Sequence, residues 1–121
     1  MNTGVWVALG GALGAVLRYL LDWLPLGVFP WDTLLVNTLG CLAIGWVAGR
    51  TAVDGPRPLP EQARQFLMTG VCGGFTTFSV FSLESVALLQ AGAVLPALGY
   101  MLATVVLAVL AAGGGLALGR R

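Results

Sequence analysis

Apolar residues fill four long stretches of this chain, at about 4 to 24, 32 to 49, 63 to 90 and 93 to 118, with short polar or turn-forming segments between them. Crossing the hydrocarbon core of a membrane takes about 20 mostly apolar residues. The pattern therefore predicts an all-α membrane protein of four transmembrane helices, one domain over residues 1–121. The connections carry their own signals. "PLGVFP" (25 to 30) reads as a Pro/Gly turn, "QAGAV" (90 to 94) as a tighter one, and "RTAVDGPRPLPEQAR" (50 to 64) as a polar loop whose three prolines block helix continuation.

Composition agrees with the pattern. The chain is 58% hydrophobic and 9% charged, with a mean hydropathy of +0.92, far from the roughly 25% charged make-up of soluble domains. The first stretch is too long, and reaches its charge too late, for a cleaved signal peptide. Six arginines, no lysines and no histidines give a net charge of +1. That leaves no basic footprint for nucleic acid, no histidine acid/base chemistry and no clustered nucleophile and base, so an enzyme is not expected. Cys41 and Cys72 both fall in apolar stretches without CxxC spacing and read as small buried thiols.

With four spans, both termini lie on the side of the long loop. That side holds Arg50, Arg57, Arg64, Arg120 and Arg121, against Arg18 within the first helix. Positive-inside reasoning then places the termini in the cytoplasm. Gly10/Gly14, Gly45/Gly49 and Gly115/Gly119 are GxxxG pairs that let helix backbones approach closely, either within the chain or at a subunit interface.

Polar groups at membrane depth are candidate functional positions because they are expensive there. Arg18 either snorkels to the interface or faces a vestibule, and Asp22, one turn on, is placed to pair with it. Glu84 reads as an interfacial cap, an arginine partner or part of a polar pathway. Asn37 shares a face with Thr33, which suits interhelical hydrogen bonding or a pore wall, and Tyr100 shares one with Thr104, which again suits interhelical hydrogen bonding.

The third stretch departs from a plain helix. "GVCGGFTTFS" sets Gly70, Gly73 and Gly74 before Thr76, Thr77 and Ser79, a run poor in helix propensity, so the third helix is expected to break near its middle. Irregular backbone at membrane depth is tolerated where it is buried or lines a water-filled or ion-occupied site. Freed carbonyls there suit a cation and the N-terminal end of the next half-helix suits an anion. Phe78 and Phe81, three apart, share one face of that half-helix, and their ring edges carry partial positive charge.

These residues resemble the small bacterial fluoride channels of the Fluc or CrcB family. The likeness rests on "GALGAVLRYLL" with Arg18, "VNTLGCLAIG" with Asn37, "GGFTTFSVFSLE", and Tyr100 with Thr104, in that order along the whole chain. It implies passive fluoride export across the bacterial plasma (inner) membrane, relieving fluoride toxicity. It further implies an antiparallel, dual-topology homodimer with two pores along the interface. In that scheme Phe78 and Phe81 contact fluoride by their ring edges and Asn37 by its amide. Ser79, Glu84, Tyr100 and Thr104 form a polar track, Arg18 lies near the vestibule, and the backbone carbonyls of Gly73 and Thr76 hold a structural sodium ion at the dimer centre.

Two features depart from the family's pattern. The position one turn beyond Thr104, often a hydroxyl in the family, is Ala108 here, so the track is shorter or another group takes its place. The five-to-one arginine distribution suits a heterodimer of oppositely fixed homologues as well as a homodimer. A small proton-coupled multidrug exporter is the rival transporter, but it requires a carboxylate at the midplane of the first helix, and residues 4 to 17 contain none. A noncatalytic membrane assembly protein is the third alternative.

Overall fold

The structure, a computed structural model, describes residues 2–22 and 29–121. Most of the predicted 25–30 turn, and the last two residues of the predicted first helix, lie outside the described residues. Among the described residues, four helical spans cross the fold: Thr3–Leu21, Trp31–Thr51, Glu61–Gln90 and Val94–Gly119, each long and apolar enough to cross a membrane. We label their helices α1 (Thr3–Leu21), α2 (Trp31–Thr51), α3 (Glu61–Gln65), α4 (Gly73–Phe75), α5 (Phe78–Gln90) and α6 (Val94–Gly119).

Local chemistry sets most of the ends. Asn2 caps α1 by accepting a hydrogen bond from the Val5 amide at 2.9 Å. Asp32 in the first turn of α2 and Arg50 in its last turn complement the helix dipole. Between α5 and α6, Gly92 takes a left-handed φ of 80°, while Ala93 N–H reaches the Leu88 carbonyl and Gly92 N–H the Leu89 carbonyl. This closure satisfies the last carbonyls of α5, and only glycine adopts that conformation freely.

The third span is the irregular one. Phe66–Cys72 winds as a π-helix between α3 and α4, so Gly73 N–H reaches back to the Met68 carbonyl, five residues earlier. Thr76 and Thr77 then run extended, and α5 begins at Phe78. The predicted break is present, placed on the two threonines.

Two close helix pairs hold the bundle. Along α1, a Cβ on Gly10 would strike the Phe66 carbonyl, and one on Gly14 the Val71 carbonyl. Along α2 and α6, a Cβ on Gly45 would strike the Ala112 carbonyl and one on Gly115 the Leu42 carbonyl; Gly49 and Gly119 repeat the pattern one turn on. All three GxxxG pairs are thus engaged inside the chain, backbone against backbone. The outer surface is apolar: Leu95, Leu102 and Val109 are among many exposed aliphatic side chains. Such a coat suits lipid, since exposed apolar area of this extent is unusual against water.

Candidate ion site

The break is held by a side chain from α2. Asn37, buried, donates its amide to the Thr77 carbonyl at 3.0 Å and accepts the Thr77 N–H at 2.7 Å. Its carboxamide thus pairs with the backbone as a neighbouring peptide would. The consequence falls one turn earlier: the amide that a continuous helix would return to the Gly73 carbonyl is spent on Asn37, and that carbonyl is freed. Gly40, one turn nearer the π-helical level, has no side chain to keep α2 away from Thr76.

Thr77 then starts the next helix. Its hydroxyl accepts the Val80 amide at 3.1 Å as an N-cap and lies 3.3 Å from the Ser79 hydroxyl. The positive end of the α5 dipole is therefore directed at the break. Phe78 and Phe81 stand on the first turns of α5 with ring centroids 5.7 Å apart. Phe78 is 79% exposed, whereas Phe81 is half-buried and packs 5.1 Å from the Tyr100 ring.

Beside these rings is a cavity of about 330 Å³, lined by Asn37, Cys41, Thr76, Thr77, Phe78 and Phe81 from one side and by Thr104, Val105, Ala108 and Val109 of α6 from the other. Hydroxyls in an apolar setting usually bond back to a carbonyl of their own helix. Thr38, Thr51, Ser82 and Ser85 all do so, to Leu34, Val47, Phe78 and Phe81. The Thr104 hydroxyl does not. It is buried and, among the described residues, has no hydrogen-bond partner. A buried hydroxyl without a protein partner is costly.

A second polar group adjoins the first. Tyr100, fully buried, donates its hydroxyl to Glu84 Oε1 at 3.2 Å. The buried Thr33 lies beside this pair. The shared face of Thr33 and Asn37 foreshadowed its neighbourhood, but its place beside Glu84 brings α2 to α5 and required the fold. Since Phe81 packs on Tyr100, the Glu84–Tyr100 pair and the cavity are two ends of one continuous arrangement.

The other predicted positions fall into place around it. Arg18 occupies the last turn of α1, half-buried, where a cation complements the helix dipole. Its neighbour Asp22 meets it through the backbone, N–H to the Arg18 carbonyl at 3.0 Å. Partial desolvation raises the Asp22 carboxyl from its ordinary value, Asp32 adds to the rise and Arg18 opposes it. Arg18, Gly73, Ser79, Glu84 and Tyr100 do not line the cavity; Asn37, Phe78, Phe81 and Thr104 do, with Thr76. Past Thr104 the α6 wall is apolar, and Ala108 contributes only a methyl group. Cys41 is the surprise: it is half-buried and lines the cavity, while Cys72 is buried as expected.

Comparisons with known proteins converge on one family. Residues 5–116 match the family model described as CrcB-like protein, Camphor Resistance (CrcB). A protein of Rhizobium meliloti named fluoride-specific ion channel FluC is 47% identical over 124 residues, covering 99% of this chain and 98% of that one. Its namesake in Paracoccus denitrificans is 45% identical over 98% of this chain and 95% of its own length. That of Paramagnetospirillum magneticum is 50% identical over 76% of this chain and 75% of its own.

Proposed function

We propose that this chain, which belongs to the CrcB family, is a fluoride-specific ion channel of the membrane and not an enzyme. Its relatives bear that name over nearly their full length, and the observation within this chain that supports it best is the unpartnered Thr104 hydroxyl. Thr104 shares a cavity wall with Asn37, Phe78 and Phe81, and its hydroxyl oxygen is buried there without a partner. All of these are neutral groups that present positive hydrogens or ring edges to a small anion. Neutral donors bind a partly dehydrated ion firmly enough to admit it and weakly enough to release it, as conduction requires.

Each group has a task in that scheme. Asn37 spends one amide hydrogen and its carbonyl on Thr77, and its second amide hydrogen remains for the ion. The N-terminal end of α5 adds a favourable potential at the same level. From Phe81 the ion passes toward Tyr100, Glu84 and Thr33, with Ser79 beside the break and Arg18 near the mouth. The flow is passive and runs out of the cell, down the electrochemical gradient of fluoride, across the bacterial inner membrane.

The working unit is an antiparallel homodimer. Phe78 is 79% exposed, so the ring that should face the ion has its other side open, and a second copy supplies the missing wall. Gly73, whose carbonyl the break frees, is likewise an exposed residue, which fits an oxygen-ligated hard cation. Gly73 and Thr76 would hold a sodium ion there by their carbonyls, and such an ion supplies a fixed positive charge that ties two breaks together. The arginine-rich loop end keeps the oppositely fixed heterodimer as an outcome of the orientation test.

Fluoride efflux from proteoliposomes containing the purified protein, followed with a fluoride electrode, tests the function. Rapid efflux that chloride does not replace is expected; a trace equal to protein-free liposomes overturns it. A reporter fused after Arg121 that reads out from both sides of the membrane supports the homodimer. A single orientation excludes it.

A further inference from the structure

Three arginines from three segments converge where α2 and α6 end. Gly49 and Gly119 bring the two helix backbones together there: a Cβ on Gly49 would lie 3.2 Å from the Arg120 γ-carbon, and one on Gly119 would lie 3.0 Å from the Arg50 amide nitrogen. The loop after α2 folds back onto the same corner, so that Arg57 N–H donates to the Arg50 carbonyl at 2.9 Å. Arg57 and Arg120 are exposed and Arg50 is half-buried. Among the described residues, Arg64 pairs with Glu61, whereas no carboxylate lies within 4 Å of the guanidinium groups of Arg50, Arg57 or Arg120. Asp54, exposed on the same loop, leaves the corner net positive.

Below this cationic rim the surface is apolar. Trp46, four residues before Arg50 and so one turn deeper on the same face, is 45% exposed, and the Arg50 guanidinium lies 5.5 Å from its ring centroid. Leu118, just before the end of α6, is 51% exposed. We infer that the Arg50, Arg57 and Arg120 corner binds the headgroup of an anionic phospholipid, whose acyl chains run along Trp46 and Leu118. Guanidinium forks donate paired N–H groups to phosphate oxygens, and an interfacial tryptophan beneath them meets the glycerol and upper acyl region. A free phosphate would use the rim alone; the exposed apolar wall directly beneath it favours the lipid. None of the three arginines lines the ion cavity, so the inference is independent of the fluoride reading and needs only the membrane spans.

The test measures binding of dioleoyl phosphatidylglycerol to the purified protein in a non-ionic detergent, by native mass spectrometry and by thermal unfolding, with dioleoyl phosphatidylcholine and glycerol 3-phosphate as the other two arms. In wild type, phosphatidylglycerol should be retained and should raise the melting temperature by about 5 °C or more, and neither of the others should do so. The triple variant Arg50→Gln, Arg57→Gln, Arg120→Gln should bind phosphatidylglycerol on the order of 100-fold more weakly, at roughly fivefold per arginine. The corresponding triple lysine variant should keep most of the affinity. Equal binding of phosphatidylcholine, an unchanged affinity in the triple glutamine variant, or equal stabilisation by glycerol 3-phosphate overturns the proposal, the last by making the corner a site for small phosphates. Should the triple glutamine variant fail to fold, Arg57→Gln alone, on an exposed loop, decides: a fall of about fivefold supports the site, and an unchanged affinity overturns it.

Discussion

Asn37 and Thr77, 40 positions apart, are joined by two hydrogen bonds that make one side chain substitute for a missing turn of helix. The pair explains how a membrane helix can stop and restart at mid-depth without stranding the Thr77 backbone. Replacing Asn37 by leucine leaves a buried N–H and a buried C=O unpaired, at about 1–3 kcal/mol each. The expected result is a clear drop in thermal stability in detergent together with lost efflux. Asn37→Asp keeps the acceptor and removes the donor, so it should unfold between wild type and Asn37→Leu. A leucine variant as stable as wild type would refute the clamp.

Thr104 is the opposite case. Its hydroxyl has no protein partner among the described residues, so Thr104→Val removes no internal hydrogen bond and thermal stability should hold. Fluoride efflux should fall by about tenfold or more, because a hydrogen bond to a charged acceptor contributes about 1.5–3 kcal/mol. Thr104→Ser should restore it. Full efflux in the valine variant would remove Thr104 from the path.

Phe81 touches both ends of the site, Phe78 at 5.7 Å and Tyr100 at 5.1 Å between ring centroids. Phe81→Ile keeps an apolar side chain on the same helix turn while removing the ring edge. Efflux in proteoliposomes should be impaired with the fold retained, as judged by an unchanged elution profile and melting transition. Undiminished efflux would strip the ring of its role.

Glycines divide by position. A Cβ at Gly14 meets the Val71 carbonyl, whereas at Gly113 it meets nothing within 4 Å. Gly14→Ala should destabilise by about 1–3 kcal/mol through overpacking. Gly113→Ala should be neutral or stabilise by up to about 1 kcal/mol through helix propensity. Melting temperatures of the two variants, in parallel, check the contrast.

The order of legibility follows the range of the forces. Four spans and a weak point in the third were readable, because burial in lipid and poor helix propensity act on consecutive residues. The spacing of Phe78 and Phe81 was readable for the same reason. The Asn37–Thr77 clamp was not: it joins α2 to a break far along the chain, and an asparagine in an apolar run is equally consistent with ordinary interhelical bonding. Which partners the glycine pairs meet also depended on helix order in space; Gly10 shows its spacing in the sequence but not the Phe66 carbonyl it admits. Nor does a sequence distinguish Thr104 from Thr38, since both are able to bond back to their own helix and only one does. Cys41 was hidden by composition: a small apolar-looking residue reveals its cavity only when α6 is placed opposite.

The π-helical stretch from Phe66 to Cys72 acts as a phase adjuster. Each residue of an α-helix advances the azimuth by about 100°, and a π turn accommodates an additional residue without losing its hydrogen bond. The stretch therefore sets the compass bearing at which the chain arrives at Thr76. Winding the same seven residues as a plain α-helix would over-rotate the chain and swing everything after them away from Asn37. The glycines that seat this span on α1 and the phenylalanines that follow the break keep their separate alignments because the winding between them is not uniform.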